Sequence, residues 1–370
     1  MGNRRILIMA GGTGGHVFPG LAVAEQLEAE GWTVLWLGTR AGLETHILAK
    51  ADIPIRYIAV TGLRGKKALS CLIAPFKALQ AIYQSVKIIR DFNPSVVLGM
   101  GGFVSGPGGV AAWLLRVPLV IHEQNAVAGT TNRLLAHLAK RVLQAFPNTV
   151  FKSNNVQNPK FLVTGNPIRK SLLSLAPPLE RFKEREGRLR LLIIGGSRGA
   201  QALNEVCPQA LSLLCRLLPP EARPSIRHQS GASHAECTRD AYAKAGVEAD
   251  IVPFIEDMGT AYAWADWVLC RAGALTVSEL GAVGLGSILV PYPFAIDNHQ
   301  LHNARFLEKK GGAIVISQVD LEPQCLADHL LGFCKDRAQG LKFAEAAKKA
   351  FHLEATALVA DLCKEMALDC

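Results

Sequence analysis

The sequence has no Cys-x-x-Cys pair. Its nine cysteines, Cys71, Cys207, Cys215, Cys237, Cys270, Cys325, Cys334, Cys363 and Cys370, are scattered and odd in number. This pattern argues against a disulfide framework or a zinc cluster and suits reduced thiols in a cytosol. Aromatic residues make up only 6% of the chain, too few for a lectin-like sandwich or a base-stacking surface. Acidic residues are in deficit: 40 Lys and Arg face 31 Asp and Glu, a formal net charge of +9. Such an excess points to an anionic partner (nucleic acid, acidic lipid or a phosphorylated substrate) without choosing among them. The uncharged run Leu280 to Ile296 is broken by Gly281, Gly284, Gly286, Pro291 and Pro293, a helix-loop-strand composition rather than a membrane span. The basic start Met1 to Arg5 is followed only by Ile6 to Ala10 before glycines. That is too short for a signal peptide, so a first strand and a soluble protein are expected.

What is present is a long, apolar, glycine-rich chain: 370 residues, 49% hydrophobic, 34 glycines, enough for about two domains. Short apolar runs alternate with helix-length stretches, the pattern of parallel βαβ units. In the first half, 5–10, 33–38, 96–98 and 119–122 read as strands, with helices over 21–30 and 73–92. The segment 148–165, with Asn154-Asn155 and Pro159, reads as a passage out of the first domain. A second series follows, with strands at 189–194, 225–228, 250–253, 267–270, 288–291 and 313–316. Its helices are 200–218, 234–245, 275–283 and 300–310, and the tail from Leu321 is mostly helical. The expected fold class is α/β, two doubly wound Rossmann-like domains facing across a cleft, each with its ligand crevice at the carboxyl ends of its strands.

Three glycine-rich loops each follow an expected strand and precede a helix: 11–20, 99–108 and 195–201. Backbone without Cβ atoms approaches a ligand closely, and the N–H groups of the following helix face an anion. Glycine turns are common after strands, but three in matched positions of two half-chains favour phosphate or pyrophosphate handling. Commoner nucleotide motifs fail. Val17 stands where G-x-G-x-x-G needs its third glycine, and the second strand ends Gly38-Thr39-Arg40 without an acidic residue for a ribose, which disfavours a nicotinamide dinucleotide. Gly65-Lys66 has Val60 in place of the upstream glycine and no following Ser or Thr. It is not a P-loop.

At these loops the sequence resembles the MurG family of GT-B glycosyltransferases, which adds N-acetylglucosamine to the lipid-linked muramyl precursor of peptidoglycan. The resemblance rests on 11–24, 99–109, His122-Glu123-Gln124-Asn125, Gly165-Asn166-Pro167-Ile168-Arg169, 195–200, His228-Gln229-Ser230-Gly231, Phe254-Ile255, 271–279 and Asp297-Asn298-His299-Gln300 in that order, and covers about residues 5 to 310. Arg198 departs mildly from it, standing where relatives usually show Gln. The resemblance implies a GT-B fold with an acceptor and membrane-binding domain over 1–164, a UDP-GlcNAc-binding domain over 165–349, and a terminal helix near 350–370 packing back on the first. It implies inverting transfer from UDP-GlcNAc to the MurNAc C4 hydroxyl of lipid I, forming lipid II, with no cofactor and no metal. It implies as partners UDP-GlcNAc, lipid I, an anionic membrane surface and other cell-wall synthesis proteins, with no nucleic acid, at the cytoplasmic face of the bacterial inner membrane.

Site residues are carried over on the matching motifs. Ala274, Leu275, Thr276, Val277, Ser278 and Glu279, a turn and helix start after a strand, would hold the donor, its pyrophosphate on the helix N-terminus and its ribose on Glu279. A capped helix with a glutamate favoured by the dipole is the plain structural alternative. Ile255 would hold the uracil through its backbone, Ser197 would reach a phosphate, Arg169 would offset leaving-group charge, and Gln300 and Asn125 would touch the sugar. The sequence has no Asp-x-Asp pair, so helix N-termini and Arg169 are expected to take the place of a cation. Thr13, Gly14 and Gly15 would lie near the transferred sugar. His16 is a candidate general base, and Glu123 is its rival. The stretch 66–90 mixes Leu69, Leu72, Ile73, Phe76, Leu79, Ile82 and Tyr83 with Lys66, Lys67, Lys77, Lys87 and Arg90. With Lys140 and Arg141 it suits peripheral docking on anionic lipid, or core packing of an amphipathic helix. Alternatives are another GT-B-type enzyme using UDP-GlcNAc, an epimerase included, and a non-catalytic basic nucleotide- or nucleic-acid-binding protein. Few aromatics and no clustered Lys/Arg tract count against the latter.

Overall fold

The computed structural model describes residues 4–60, 68–147, 149, 151, 159–183, 185–196 and 199–368, without the side chains of 68–74. Two units divide the chain: Met1–Arg169 with His352–Cys370, and Lys170–Phe351. In the first unit the described residues form strands β1 (Arg5–Met9), β2 (Thr33–Gly38), β3 (Ile55–Tyr57), β4 (Val96–Gly99), β5 (Leu119–Glu123), β6 (Arg141–Gln144) and β7 (Phe161–Val163). They pair in parallel in the order β3-β2-β1-β4-β5-β6-β7.

A parallel sheet covered on both faces needs apolar residues pointing both ways, and β1 supplies them. Ile6 and Ile8 join one core with Val17, Leu21 and Leu27 of helix Gly14–Ala29. Leu7 and Met9 join the opposite core with Ile89 and Ala111. The terminal helix Ala355–Leu368 adds Val359, Ala360, Cys363 and Met366 to the first of these cores. Each fully buried Ile or Leu contributes roughly 1.5–3 kcal/mol.

The second unit has β8 (Arg190–Ile194), β9 (Ser225–Gln229), β10 (Asp250–Val252), β11 (Trp267–Cys270), β12 (Gly286–Leu289) and β13 (Ala313–Val315). All pair in parallel, in the order β10-β9-β8-β11-β12-β13. In both sheets the chain winds outward in one direction and then in the other. The switch points therefore fall between β1 and β4 and between β8 and β11, and the crevice for a ligand opens at their carboxyl ends. Those ends lead into the three glycine loops and into residues 271–273.

Three strands of the first sheet are not apparent from sequence alternation. β3 and β7 are three residues long and partly exposed, and β6 has four. The segment read as an exit from the first domain instead supplies β7. Helix Gly14–Ala29 starts seven residues before the apolar stripe at Leu21; Pro19 and three glycines inside its first half, poor helix formers all, mask those turns in the sequence pattern. Among the described residues no helix is long and apolar enough to cross a membrane.

Candidate active site

In the first unit the loops after β1, β4 and β5 interlock. Glu44, fully buried, accepts from Thr39 N (2.9 Å), Thr39 Oγ1 (2.9 Å) and Gly12 N (3.2 Å). The anion held at Gly12 is thus the protein's own carboxylate. The N–H groups of Gly14 and Gly15, at the start of helix Gly14–Ala29, lie beyond the intrahelical pairing that begins when His16 and Val17 donate to Thr13 O. Gly20, grouped with this loop by sequence, serves packing: a Cβ there would sit 2.7 Å from Trp36, whose Nε1 donates to Ala10 O at 2.9 Å. In the second loop Gly101 (φ +99) lies so close to His16 that a Cβ would be 2.7 Å from Nδ1. Ser105 Oγ, beneath, accepts from Gly101 N at 3.0 Å.

His16 and Glu123 occupy unlike places. Glu123 is buried, and its oxygens take four donations: Asn125 N (3.0 Å) and Nδ2 (3.2 Å) on Oε1, Gly129 N (3.0 Å) and Asn132 Nδ2 (2.8 Å) on Oε2. It holds the 125–132 loop and presents no accessible acceptor. His16 is half-buried, with Nδ1 3.0 Å from Gln124 Oε1. Asn125 is tied to Glu123 by both backbone and side chain. The Arg169 guanidinium lies over the Phe18 ring at 4.6 Å, and Phe18 packs against Gly14. Thr13, Gly14, Gly15 and His16 thus lie with Arg169 and Gln124 around one helix start.

In the second unit the helix Ala274–Val283 begins directly beyond β11, capped by Gly273 in extended conformation with no side-chain cap. Its first N–H groups face the crevice end of the sheet, and Val277 N is the first to bond within the helix, to Gly273 O at 2.9 Å. Arg181 donates to the carbonyls of Val283 (3.1 Å) and Gly284 at the other end. Burial pushes this guanidinium down to about 10, so it stays charged and complements the helix dipole. Leu275 and Thr276 are half-buried. Glu279 is 5% exposed and accepts from Tyr262 Oη at 3.1 Å. Val277 departs from the sequence expectation. Its side chain is fully buried and its N–H already bonded, so it belongs to the core, and Ser278 beside it is buried too.

The third glycine loop is fixed by Gln229 at the end of β9: Gly196 N donates to Gln229 Oε1 and Gln229 Nε2 to Gly196 O, both at 2.9 Å, and Nε2 also meets Pro253 O at 3.0 Å. Ile255 follows Pro253 by two residues, and its N–H and C=O have no hydrogen-bond partner among the described residues. Gln300 turns its Oε1 to Tyr292 N at 2.9 Å. Ser197 and its neighbour Arg198 lie outside the described residues, as do Lys66 and Lys67.

Two Rossmann-like sheets of this order, each with glycine-opened loops and bare helix starts at its switch point, define a GT-B-type glycosyltransferase. Residues 6–144 match the glycosyltransferase family 28 N-terminal domain and 190–362 its C-terminal domain. The UDP-N-acetylglucosamine--N-acetylmuramyl-(pentapeptide) pyrophosphoryl-undecaprenol N-acetylglucosamine transferase of Nitrosococcus oceani is 50% identical over 363 residues, 98% of this chain and 99% of that protein. Its namesake from Pseudomonas entomophila is 50% identical over 364 residues, 98% of each. The crystal structure of Acinetobacter baumannii MurG superposes with a TM-score of 0.81 at 40% identity, covering 98% of this chain and 99% of that one. A UDP-GlcNAc 2-epimerase from Neisseria meningitidis shares the fold alone, at TM-score 0.69 and 14% identity over 99% of this chain and 100% of that one. The chain belongs to glycosyltransferase family 28 and, within it, to the MurG family.

Proposed function

We propose that this protein transfers N-acetylglucosamine from UDP-GlcNAc to the MurNAc C4 hydroxyl of lipid I, forming lipid II with inversion. The observation that carries this reading is the 50% identity over 98% of the chain to a relative named for that transfer, on a fold whose switch-point loops suit it. The acceptor hydroxyl attacks the anomeric carbon while the bond to the UDP phosphate breaks, its electron pair leaving with UDP. His16 takes the hydroxyl proton. Glu123, with its oxygens engaged, positions the loop instead.

The leaving diphosphate lies on the first N–H groups of helix Ala274–Val283, with Thr276 beside them; Ser197 reaches a phosphate, and Arg169 adds positive charge, in the place of a cation. Glu279 takes the ribose hydroxyls, Ile255 the uracil through its backbone, and Gln300 and Asn125 the sugar. Thr13, Gly14 and Gly15 lie near the transferred sugar.

The enzyme works peripherally, on the cytoplasmic face of the inner membrane. Phe76, Leu79 and Tyr83, one helical face of Ala68–Phe92, are 73%, 63% and 71% exposed, with Lys77, Lys87 and Arg90 exposed around them. Trp113 and Leu114 of the adjoining helix Ser105–Leu114 are exposed as well. An apolar stripe with basic flanks suits an anionic bilayer from which a polyprenyl acceptor cannot depart. The side chains of Leu69, Leu72 and Ile73 lie outside the described residues. The test is purified protein with radiolabelled UDP-GlcNAc and a lipid I analogue, chelator present. Label moving to the lipid as a β-linked disaccharide supports the reading. Label remaining on UDP, with epimerisation at C2, overturns it in favour of an epimerase.

A further inference from the structure

Around His16 the hydrogen-bond acceptors and donors can be assigned completely, starting from a group that has no choice. His122 is fully buried at the end of β5, and its Nε2 lies 2.9 Å from the carbonyl oxygen of Gly165. A carbonyl only accepts, so Nε2 carries the proton. Burial, with a smaller contribution from the charge of His16 and against the pull of the Gly165 carbonyl, pushes this imidazole down to about 4, so it is neutral and its Nδ1 is a bare lone pair. The next group facing it is the Gln124 amide.

Gln124 Nε2 lies 3.1 Å from His122 Nδ1, 2.8 Å from Met100 O and 3.3 Å from His122 O. All three are acceptors. Turning the amide over would set its oxygen against three lone pairs, so the nitrogen must face them and Oε1 must face outward. Outward is His16, with Nδ1 at 3.0 Å. An amide oxygen only accepts, so His16 Nδ1 carries the proton and Nε2 is left bare. Strand alternation explains why one short motif can do this. His122 and Gln124 project from the same side at the end of β5, whereas Glu123 projects from the other, into its own loop. The glycine at 101, with no Cβ, lets the His16 ring reach the amide.

We propose that Gln124 is a positioning residue for the transfer: oriented by His122 and through it by the Gly165 carbonyl, it holds neutral His16 as the Nδ1–H tautomer, so that Nε2 is the atom that takes the acceptor proton. In water a neutral imidazole favours the opposite, Nε2–H form, which cannot accept a proton at Nε2. The proposal rests on His16 being the base. Once His16 is protonated, its Nδ1–H still donates to Gln124 Oε1, so the contact is kept through the step.

The test uses the whole protein with 15N-labelled histidine, observed by NMR at alkaline pH and without substrates. In the wild type, His16 Nδ1 is expected to resonate as a protonated, pyrrole-type nitrogen and Nε2 as a bare, pyridine-type one. In Gln124→Leu the two assignments exchange, and kcat falls about 100-fold or more, the direction known for a wrong histidine tautomer in a catalytic triad, while the KM for UDP-GlcNAc stays within about twofold. A protonated Nε2 in the wild type, or a Gln124→Leu spectrum identical to it, overturns the proposal. Should the leucine variant fail to fold, the wild-type spectrum alone decides. His16→Ala separates the two claims: wild-type turnover in that variant removes His16 as the base, yet the tautomer assignment stands or falls on the spectrum.

Discussion

Gln229 and Gly196 exchange two hydrogen bonds, amide to peptide, each 2.9 Å long. The pair is planar donor-acceptor recognition of the backbone by a side chain, buried at the end of β9, and it leaves Gly196 in a conformation (φ +81) that residues with a Cβ rarely adopt. Through Pro253 O the same amide reaches the segment leading to Ile255. Gln229→Ala therefore releases the third glycine loop and the uracil-side segment together. Net hydrogen bonds of about 0.5–1.5 kcal/mol each put the expected rise in the UDP dissociation constant at roughly 10-fold or more, read by calorimetry.

Glu279→Ala tests the ribose assignment. A charged acceptor for a hydroxyl is worth about 1.5–3 kcal/mol, so UDP affinity is expected to fall by about 10- to 100-fold. Tyr262, which donates to Glu279, loses a partner as well, so a melting curve accompanies the titration. Unchanged UDP affinity in a folded variant removes the role.

Glu44→Gln separates the two units functionally. The amide nitrogen of the substitute must face at least one of the N–H donors now serving the carboxylate, at a cost of about 1–3 kcal/mol for the group left unsatisfied. The first glycine loop, which carries Thr13 to His16, then loosens. Turnover is expected to drop about tenfold or more through lost positioning, whereas UDP binding is unaltered. A parallel loss of UDP affinity contradicts this division of labour.

Acid sensitivity follows from two buried imidazoles. Burial holds His122 and His228 at about 4, below the ordinary value near 6.5. Between those values the unfolded chain binds more protons than the folded one, so stability falls as pH falls from about 6.5 to about 4, and these groups add no dependence above that window. Each contributes a slope of up to about 1.4 kcal/mol per pH unit. Urea midpoints at pH 7, 6 and 5 are expected to decline less steeply in His228→Gln, by about one proton. Parallel declines contradict the assignment.

The parts of the fold legible in sequence were those whose burial imposes a period. β1, β2, β8 and β11 are continuous apolar runs because both faces of a central parallel strand are covered, and helix Gln201–Leu217 keeps a clear apolar stripe. The edge strands β3 and β7, half-exposed and three residues long, carry too few constraints to leave a pattern. In the site, motif order located the loops, but not the side chains that hold them. Glu44 stands in no motif, and only the crowding of Gly11, Gly38 and Gly42 around its carboxylate reveals why the chain keeps glycine there. Gln124 and Gln229 stand inside quoted motifs, yet their roles depend on which way an amide faces, which sequence does not encode. Arg181 is a surface-type residue by composition and a helix cap only by long-range packing. Val277 shows the converse: motif contiguity enrolled it with the donor contacts, and helical rotation turns it to the core.

The donor assignment can be read directly from a crystal structure of the protein with UDP. The diphosphate is expected on the N–H groups opening helix Ala274–Val283, the ribose on Glu279 and the uracil on the Ile255 backbone. A diphosphate bound at the helix start Gly14–Ala29 instead, or away from both switch points, would contradict it.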